Sequence, residues 1–183
     1  MHSQPHEQPP IIRRLTQSSL GEWSSALGGI AHWVVFGLDQ NRYALPLAAV
    51  ERIVRAAQIT PLPSAPAIIL GALNLAGAVL PVFNVRRRFR LPERDIEPAD
   101  HFLIARTGQR TVVLVIDHAQ GVLELPAAAA IDAAAITPDP GHFSGVLRLE
   151  DGLVLIHDLA RFLSQDEARG LDVALSRGTP SAE

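Results

Sequence analysis

From His32 onward apolar and polar residues alternate with a period of two, the spacing of a strand that buries one face. HWVVFGL (32–38) predicts a strand, Asp39-Gln40-Asn41 a turn, and RYALPL (42–47) the returning strand. AVERIV (49–54) predicts a third short segment, and Pro61 and Pro63 in ITPLPSAP stiffen the connection after it. GALNL (71–75) and AVLPVF (78–83) predict a hairpin around Ala76-Gly77. Asn84 then stands at the N-cap position before VRRRF.

The second half repeats this order. HFLIAR (101–106), a turn at Thr107-Gly108-Gln109, TVVLVID (111–117) and GVLEL (121–125) predict strands. GVLRL and LVLIH then flank Glu150-Asp151-Gly152, and Asp158 precedes LARFL as Asn84 precedes VRRRF. GALNLAGAVLPVFNV (71–85) and GVLRLEDGLVLIHDL (145–159) have equal length and the same order of glycine, Leu-x-Leu, turn and apolar run. Two copies fall short of the ~3 units a solenoid needs. Two sets of four or five short strands predict two small β-barrels packed together.

The remaining segments carry weaker patterns. PAAAAIDAAAITPDP (126–140) predicts a loop with one helical turn, because its prolines confine the alanines. At the C-terminus Ser164 and Glu167 form a capping box, and Leu171, Ala174 and Leu175 share one helix face. SRGTPSAE (176–183) predicts a frayed, disordered tail. Residues 1–17 are polar and proline-containing. Leu20, Trp23, Leu27 and Ile30 then follow a helical spacing behind a Ser19–Glu22 capping box, although Gly21, Gly28 and Gly29 weaken it. Such a segment docks on the body or on a partner. The chain therefore divides into an N-terminal extension (1–29), a body (30–175) with subdomains at about 30–90 and 100–165, and the tail.

Composition narrows the chemistry. A chain of 183 residues, 48% of them hydrophobic, can bury a sizeable core. With no cysteine it has no disulfide framework, thiolate metal site or Cys nucleophile. A net charge of −3, from 16 basic and 19 acidic residues, is too balanced for a nucleic-acid footprint. The dense basic run Arg86-Arg87-Arg88-Phe89-Arg90 reads as a solvated helix face or turn, or as a patch for phosphate or an acidic partner. No apolar run reaches the ~20 residues of a membrane span, and the first residues lack a signal-peptide core. A soluble, cytoplasmic protein is expected.

Catalytic groups do not converge in the sequence. GHFSG (141–145) falls short of the nucleophile elbow because its serine is displaced by one position. Asp117-His118 could orient and activate Ser144 in a small hydrolase, but adjacent strand residues point to opposite faces. The seven histidines form no compact ligand spacing, and no phosphate-binding glycine loop is present. No cofactor and no metal are expected. An OB- or SH3-like nucleic-acid binder is a further reading, opposed by the acidic balance and the scarce, scattered aromatics. Apolar strands, tight turns and little concentrated polar machinery are the profile of a binding module.

The order of YALPL, AVERIV, ITPLPSAP, GALNLAGAVLPVFNV, LVID, GVLEL and DGLVLIHDLARFL resembles the CheW domain, over about Ala31 to Leu175. GALNLAGAVLPVFNVRRRF after Pro61-Leu62-Pro63 is its most specific part. The resemblance implies a mainly β fold of two intertwined five-stranded SH3-like barrels with short helices and a C-terminal helix. It implies a non-enzymatic adaptor that couples the cytoplasmic tip of methyl-accepting chemoreceptors to the regulatory domain of a CheA-type histidine kinase. Self-association or rings with other CheW-like proteins, and recruitment to membrane-bound receptor arrays without membrane insertion, follow from the same likeness. So does a receptor groove involving Val50, Arg52, Ile53, Gly71, Asn74, Leu75, Ala76 and Gly77, and a kinase contact at Phe143 in the loop before the last hairpin. Read from the residues alone, Gly71 and Gly77 also suit turns or close backbone approach, and Val50, Ile53 and Phe143 also suit a core.

Two positions depart from the family pattern. The family commonly has Asn-Leu-Arg-Gly where this chain has Asn74-Leu75-Ala76-Gly77, and Glu where this chain has Arg52. In the family those two side chains are close enough to pair. Here the acid has become a base and the base has become alanine. An exposed pair contributes only ~0–1 kcal/mol, so the fold survives its loss. Partner choice is more sensitive, because a reversed charge on a binding face repels one partner and admits another.

Overall fold

A computed structural model of the chain describes residues 29–108, 110–137 and 141–178. Among the described residues eleven strands form two sheets. In chain order they are β1 (Ile30–Leu38), β2 (Asn41–Pro46), β3 (Val50–Arg55), β4 (Ile69–Leu75), β5 (Ala78–Phe83), β6 (His101–Arg106), β7 (Thr111–Ile116), β8 (His118–Pro126), β9 (Ala130–Asp132), β10 (Phe143–Leu149) and β11 (Gly152–His157). A one-turn helix, α1 (Val85–Arg88), follows β5, and α2 (Gln165–Gly178) closes the chain. The first sheet has the order β8-β1-β2-β11-β10-β9 and the second β3-β6-β7-β5-β4.

The duplication is real, but the copies do not each make a barrel. Each sheet takes the opening hairpin of one copy and the later strands of the other. β1 and β2 join β8 to β11, while β6 and β7 join β3 to β5. The seams are parallel pairings, β2 with β11 and β5 with β7. The subdomain limits of 30–90 and 100–165 therefore do not separate the sheets. The reason is that a strand with two apolar faces can be buried only between layers. Along β1, Val34, Phe36 and Leu38 face a central core between the sheets, whereas Trp33 and Val35 face the interior of the first sheet. Along β6 and β7, Leu103, Ala105, Val112 and Leu114 face the central core, whereas Phe102, Ile104 and Val113 face the interior of the second. Each sheet curls barrel-like around its own interior, since edge-strand residues such as Leu125 on β8 and Ala130 on β9 meet on one cluster.

The first sheet has six strands rather than five. The sixth, β9, lies inside the alanine-rich segment expected to be a loop, between the 3₁₀ turns Ala127–Ala129 and Ala133–Ala135. Its pairing with Gly145, Val146 and Leu147 explains the exception. Gly145 is where β10 crosses this strand: a Cβ there would stand 2.5 Å from the Ile131 carbonyl oxygen. Gly71 repeats the arrangement in the first copy, where a Cβ would stand 2.4 Å from the Thr60 carbonyl oxygen. Thr60 and Ala72 exchange backbone hydrogen bonds of 2.8 and 2.7 Å across that crossing. The repeated glycine is thus a crossing of two backbones.

The caps form as the sequence indicates. Asn84 Oδ1 accepts from Arg87 N (3.1 Å) and Asp158 Oδ1 from Ala160 N (2.9 Å). Ser164 N donates to Glu167 Oε2 and Glu167 N to Ser164 Oγ, at 2.8 and 3.1 Å. Leu171 of α2 is buried in the central core, Leu175 packs against it, and Ala174 is buried beside them on the same helix face. The helix runs on to Gly178, past the expected limit at 175, with Ser176 Oγ donating to the Val173 carbonyl (2.9 Å). The N-terminal helical spacing at 19–28, the turn residue Gln109 and the last five residues of the tail lie outside the described residues.

Candidate protein-interaction site

β3 stands at one edge of the second sheet. Its register against β6 slips between Val50 and Arg52, so Glu51 is an extra residue in the ladder. That bulge is why Val50 and Ile53, three apart, both pack against the central core, while Val54 points into the second barrel. Arg52 is exposed and has no ion-pair partner among the described residues. Glu51 accepts from Thr111 Oγ1 (3.2 Å), and the Arg55 guanidinium reaches the Ala99 carbonyl at 3.5 Å.

The β4–β5 turn is the second part. Leu75 faces Ala78 across a two-residue loop, with φ of +52° at Ala76 and +88° at Gly77. Positive φ at both central positions marks a type I′ hairpin turn. Asn74 Oδ1 accepts from Gly77 N at 3.1 Å and fixes the loop. Leu75 is half-buried against the second barrel, whereas Val79 is 53% exposed. The expected receptor set therefore splits. Arg52, Asn74, Ala76 and Gly77 are open to a partner, Val50, Ile53 and Leu75 are half-buried supports, and Gly71 is buried at the strand crossing.

Phe143 is the first residue of β10 and not part of the preceding loop. It is half-buried, with ring centroids 5.8 Å from Phe89 and 5.8 Å from His157. Phe89 also stacks on Tyr43 (4.5 Å), and His157 lies 5.2 Å from Phe162. His157 is 2% exposed, and neither ring nitrogen has a hydrogen-bond partner among the described residues. Burial first, and the nearby His142 second, push its pKa down to about 3.

The basic run is a solvated face only at Arg87 and Arg90. Arg86 is buried and donates to Asp39 Oδ1 (2.8 Å), Asp117 Oδ2 (2.7 Å) and the Pro92 carbonyl (3.0 Å). Arg94 adds bonds to Asp100 (2.6 Å) and Asp117 (2.9 Å). Arg87 pairs with Glu93, and Arg88 with Glu167 on α2. Carboxylates of the chain thus pair with Arg86, Arg87 and Arg88, while Arg90 stays exposed, so the run presents no dense basic patch for nucleic acid. Burial opposes ionisation of Asp117, but the Asp39 N–H and the Arg86 guanidinium outweigh it and hold the carboxyl below its ordinary value. Asp117 is thereby committed, and the His118 ring packs at Gly37 with Nε2 3.1 Å from Gln120. Among the described residues no hydrogen bond joins Ser144 to either, so the structure gives no support to the hydrolase reading.

A family model described as the CheW-like domain matches residues 32–167. The chain belongs to the CheW-like domain family. This CheW-like chain is 25% identical over 144 residues to the chemotaxis protein CheW of Treponema pallidum, covering 75% of the chain and 85% of that relative. It is 31% identical over 93 residues to the protein FrzA of Myxococcus xanthus, covering 51% of the chain and 58% of the relative. The crystal structure of the scaffolding protein TtCheW from Thermoanaerobacter tengcongensis matches with a TM-score of 0.69 and 23% identity, over 75% of this chain and 94% of that one. That likeness shows a shared fold. Among the described residues no helix is long and apolar enough to cross a membrane, and no three His, Asp or Glu residues are grouped to hold a metal ion.

Sequence reasoning missed His157 and the Arg86–Asp117 network. One signal was available for the first. Aligned copy on copy, His157 falls where the first copy has Phe83, an interior position. For the second, the partners of Arg86 are distant in sequence and share no pattern with it.

Proposed function

We propose that this chain is a non-enzymatic adaptor of the CheW type. It couples the cytoplasmic tip of chemoreceptors to the regulatory domain of a CheA-type histidine kinase, at membrane-bound arrays it joins from the cytoplasm. The observation that carries the reading is the family match across 32–167, together with exposed side chains on β3 and on the β4–β5 turn. A type I′ turn is rigid, so Asn74, Ala76, Gly77 and Val79 form a preformed contact surface with little ordering cost. The kinase side is assigned to the end of the first sheet that carries Phe143.

The test is a calorimetric titration against the regulatory domain of a CheA-type kinase from the same genome. Saturable binding at ~1–10 μM, about −7 to −8 kcal/mol, is expected. No heat up to ~100 μM, a range that covers weak adaptor contacts, would overturn the kinase assignment.

The Arg52 and Ala76 departures, with the match to FrzA beside those to CheW proteins, favour a divergent array or pilus-type pathway over a general chemotaxis array. The paired change Arg52→Glu with Ala76→Arg should then weaken binding to the chain's own receptor. Unchanged affinity would remove the specificity argument while leaving the adaptor reading in place.

A further inference from the structure

A cleft of about 340 Å³ opens where the two sheets and α2 meet. Its floor draws on both halves of the fold. Phe83, at the end of β5, and Val112 on β7 come from the second sheet, while Leu159 and Phe162 come from the 3₁₀ turn that follows β11. All four are buried, and the rings of Phe83 and Phe162 meet edge to face with centroids 5.3 Å apart. The floor is therefore apolar, aromatic and held by the central core. Small residues keep the space open: Ala168 of α2 lines it, and so does Gly108 of the β6–β7 turn. A Cβ on Gly108 would meet nothing within 4 Å, so no close approach requires a glycine there. Apolar walls, a few polar groups and a volume in the range of ~300–1,000 Å³ are the properties of small-molecule sites.

Arg110 is the single charged side chain among the residues that line this cleft. Its backbone is fixed by the turn, in which Thr107 N donates to the Arg110 carbonyl (2.8 Å) and Arg110 N donates to Thr107 Oγ1 (3.2 Å). Its guanidinium donates from Nη2 to Asp172 Oδ1 at 2.8 Å. A guanidinium carries five N–H donors, so the remaining ones have no partner among the described residues. Asp172 is 61% exposed and is not among the lining residues, so the pair leaves the cleft unfilled. α2 is anchored beside it by the Arg88–Glu167 pair (2.6 Å) and by the Ser164–Glu167 capping box. The wall is thus in place before a ligand arrives, and little ordering cost falls on binding.

We infer that this cleft is a binding site for a small aryl carboxylate, whose ring lies against Phe83 and Phe162 and whose carboxylate accepts from the uncommitted N–H groups of Arg110. The planar guanidinium matches a carboxylate in geometry and charge. The aromatic floor matches a ring edge to face. Neither Phe143 nor any of the expected receptor residues lines the cleft, so the inference does not depend on which partners the adaptor binds.

The probes are phenylacetate and its neutral isostere phenylacetamide, each titrated into the full chain and followed by methyl NMR. Saturable shifts centred on the methyl groups of Val112, Leu159, Leu163 and Ala168 are expected. Phenylacetate should bind about tenfold tighter than the amide, because only the acid makes a charge-assisted pair. Arg110→Gln should remove that preference and leave the affinity for the amide unchanged. Ala168→Phe should fill the cleft and abolish binding of both, while far-ultraviolet circular dichroism still reports the folded chain. Asp172→Asn tests the same charge without altering Arg110, and should tighten phenylacetate by removing the competing carboxylate. No shift at ~10 mM, well above the Kd of a site this enclosed, overturns the inference. So do equal affinities for acid and amide, a preference that survives Arg110→Gln, weaker phenylacetate binding in Asp172→Asn, or shifts centred on methyl groups elsewhere.

Discussion

Replacing His157 by Phe should change how stability depends on pH. His157 is buried among Phe89, Phe143 and Phe162, and its ring nitrogens have no hydrogen-bond partners among the described residues. Its pKa falls from about 6.5 in the unfolded chain to about 3 in the fold, chiefly through burial. A depressed pKa means that the unfolded chain takes up a proton first as pH falls. The full stability is present above pH ~6.5 and is lost progressively toward pH ~3, at up to ~1.4 kcal/mol per pH unit. Between pH 7 and pH 5 that amounts to about 2 kcal/mol, a large share of a typical 5–15 kcal/mol. The Phe variant has no proton to bind and loses this component. At pH 7 the comparison is closer: removing unsatisfied buried nitrogens gains about 1–3 kcal/mol, and the larger ring costs a similar amount in packing. The difference between the two pH values is therefore the informative quantity. Urea denaturation of both proteins at pH 7 and pH 5 measures it. The carboxylates with lowered pKa, Asp100, Asp117, Asp151 and Glu167, lose their contribution only in more acid solution and act alike in both proteins. Equal pH slopes for wild type and His157→Phe would refute the argument and imply that the imidazole is charged or solvated in the fold.

Three further outcomes follow from the same geometry. Gly71→Ala and Gly145→Ala should each destabilise by about 2–4 kcal/mol, since a Cβ at 2.4 or 2.5 Å from a backbone oxygen forces the crossing strands apart; urea midpoints check this, and a large cost at only one glycine would contradict the equivalence of the copies. Ala76→Gly should raise stability by about 0.5–1 kcal/mol, because Gly adopts φ of +52° without the penalty Ala carries; a lower melting temperature would count against the type I′ assignment. Arg86→Met should cost about 3 kcal/mol by leaving Asp39 and Asp117 without their shared cation, and thermal unfolding showing no loss would mean that water or Arg94 replaces it.

Local structure was legible in the sequence, and its assembly was not. Period-two alternation located β1, β2 and the hairpins, and caps at Asn84, Asp158 and Ser164 located helical turns, because both depend on neighbours in the chain. β9 escaped notice because three residues of Ala-Ile-Asp carry no period and owe their pairing to β10. The burial of Arg86 within the basic run is not legible for a related reason: Arg86 finds Asp39 and Asp117 only after folding. Of the expected interaction residues, those near the turn were placed by local rules, while the orientation of Val50 and Ile53 depends on a bulge set by β6.

The exchange of strands between copies bears on how an adaptor of this fold carries load. A protein made of two independent barrels would bend at the 90–100 connection. Here each sheet contains chain from both halves, so the halves cannot separate without breaking the parallel seams at Val82–Val113 and Ile156–Ala44, and the chain passes between the sheets twice, from β2 to β3 and from β7 to β8. The ionic network adds a second tie, since Arg86 and Arg94 join the β1–β2 turn, α1, the connection and the start of β8 through Asp39, Asp100 and Asp117. The two proposed contact surfaces, the β4–β5 turn of one sheet and the surroundings of Phe143 on the other, are then held at a fixed separation. That geometry suits a part whose task is to hold two partners in register, because binding energy at one surface is not spent in ordering the other.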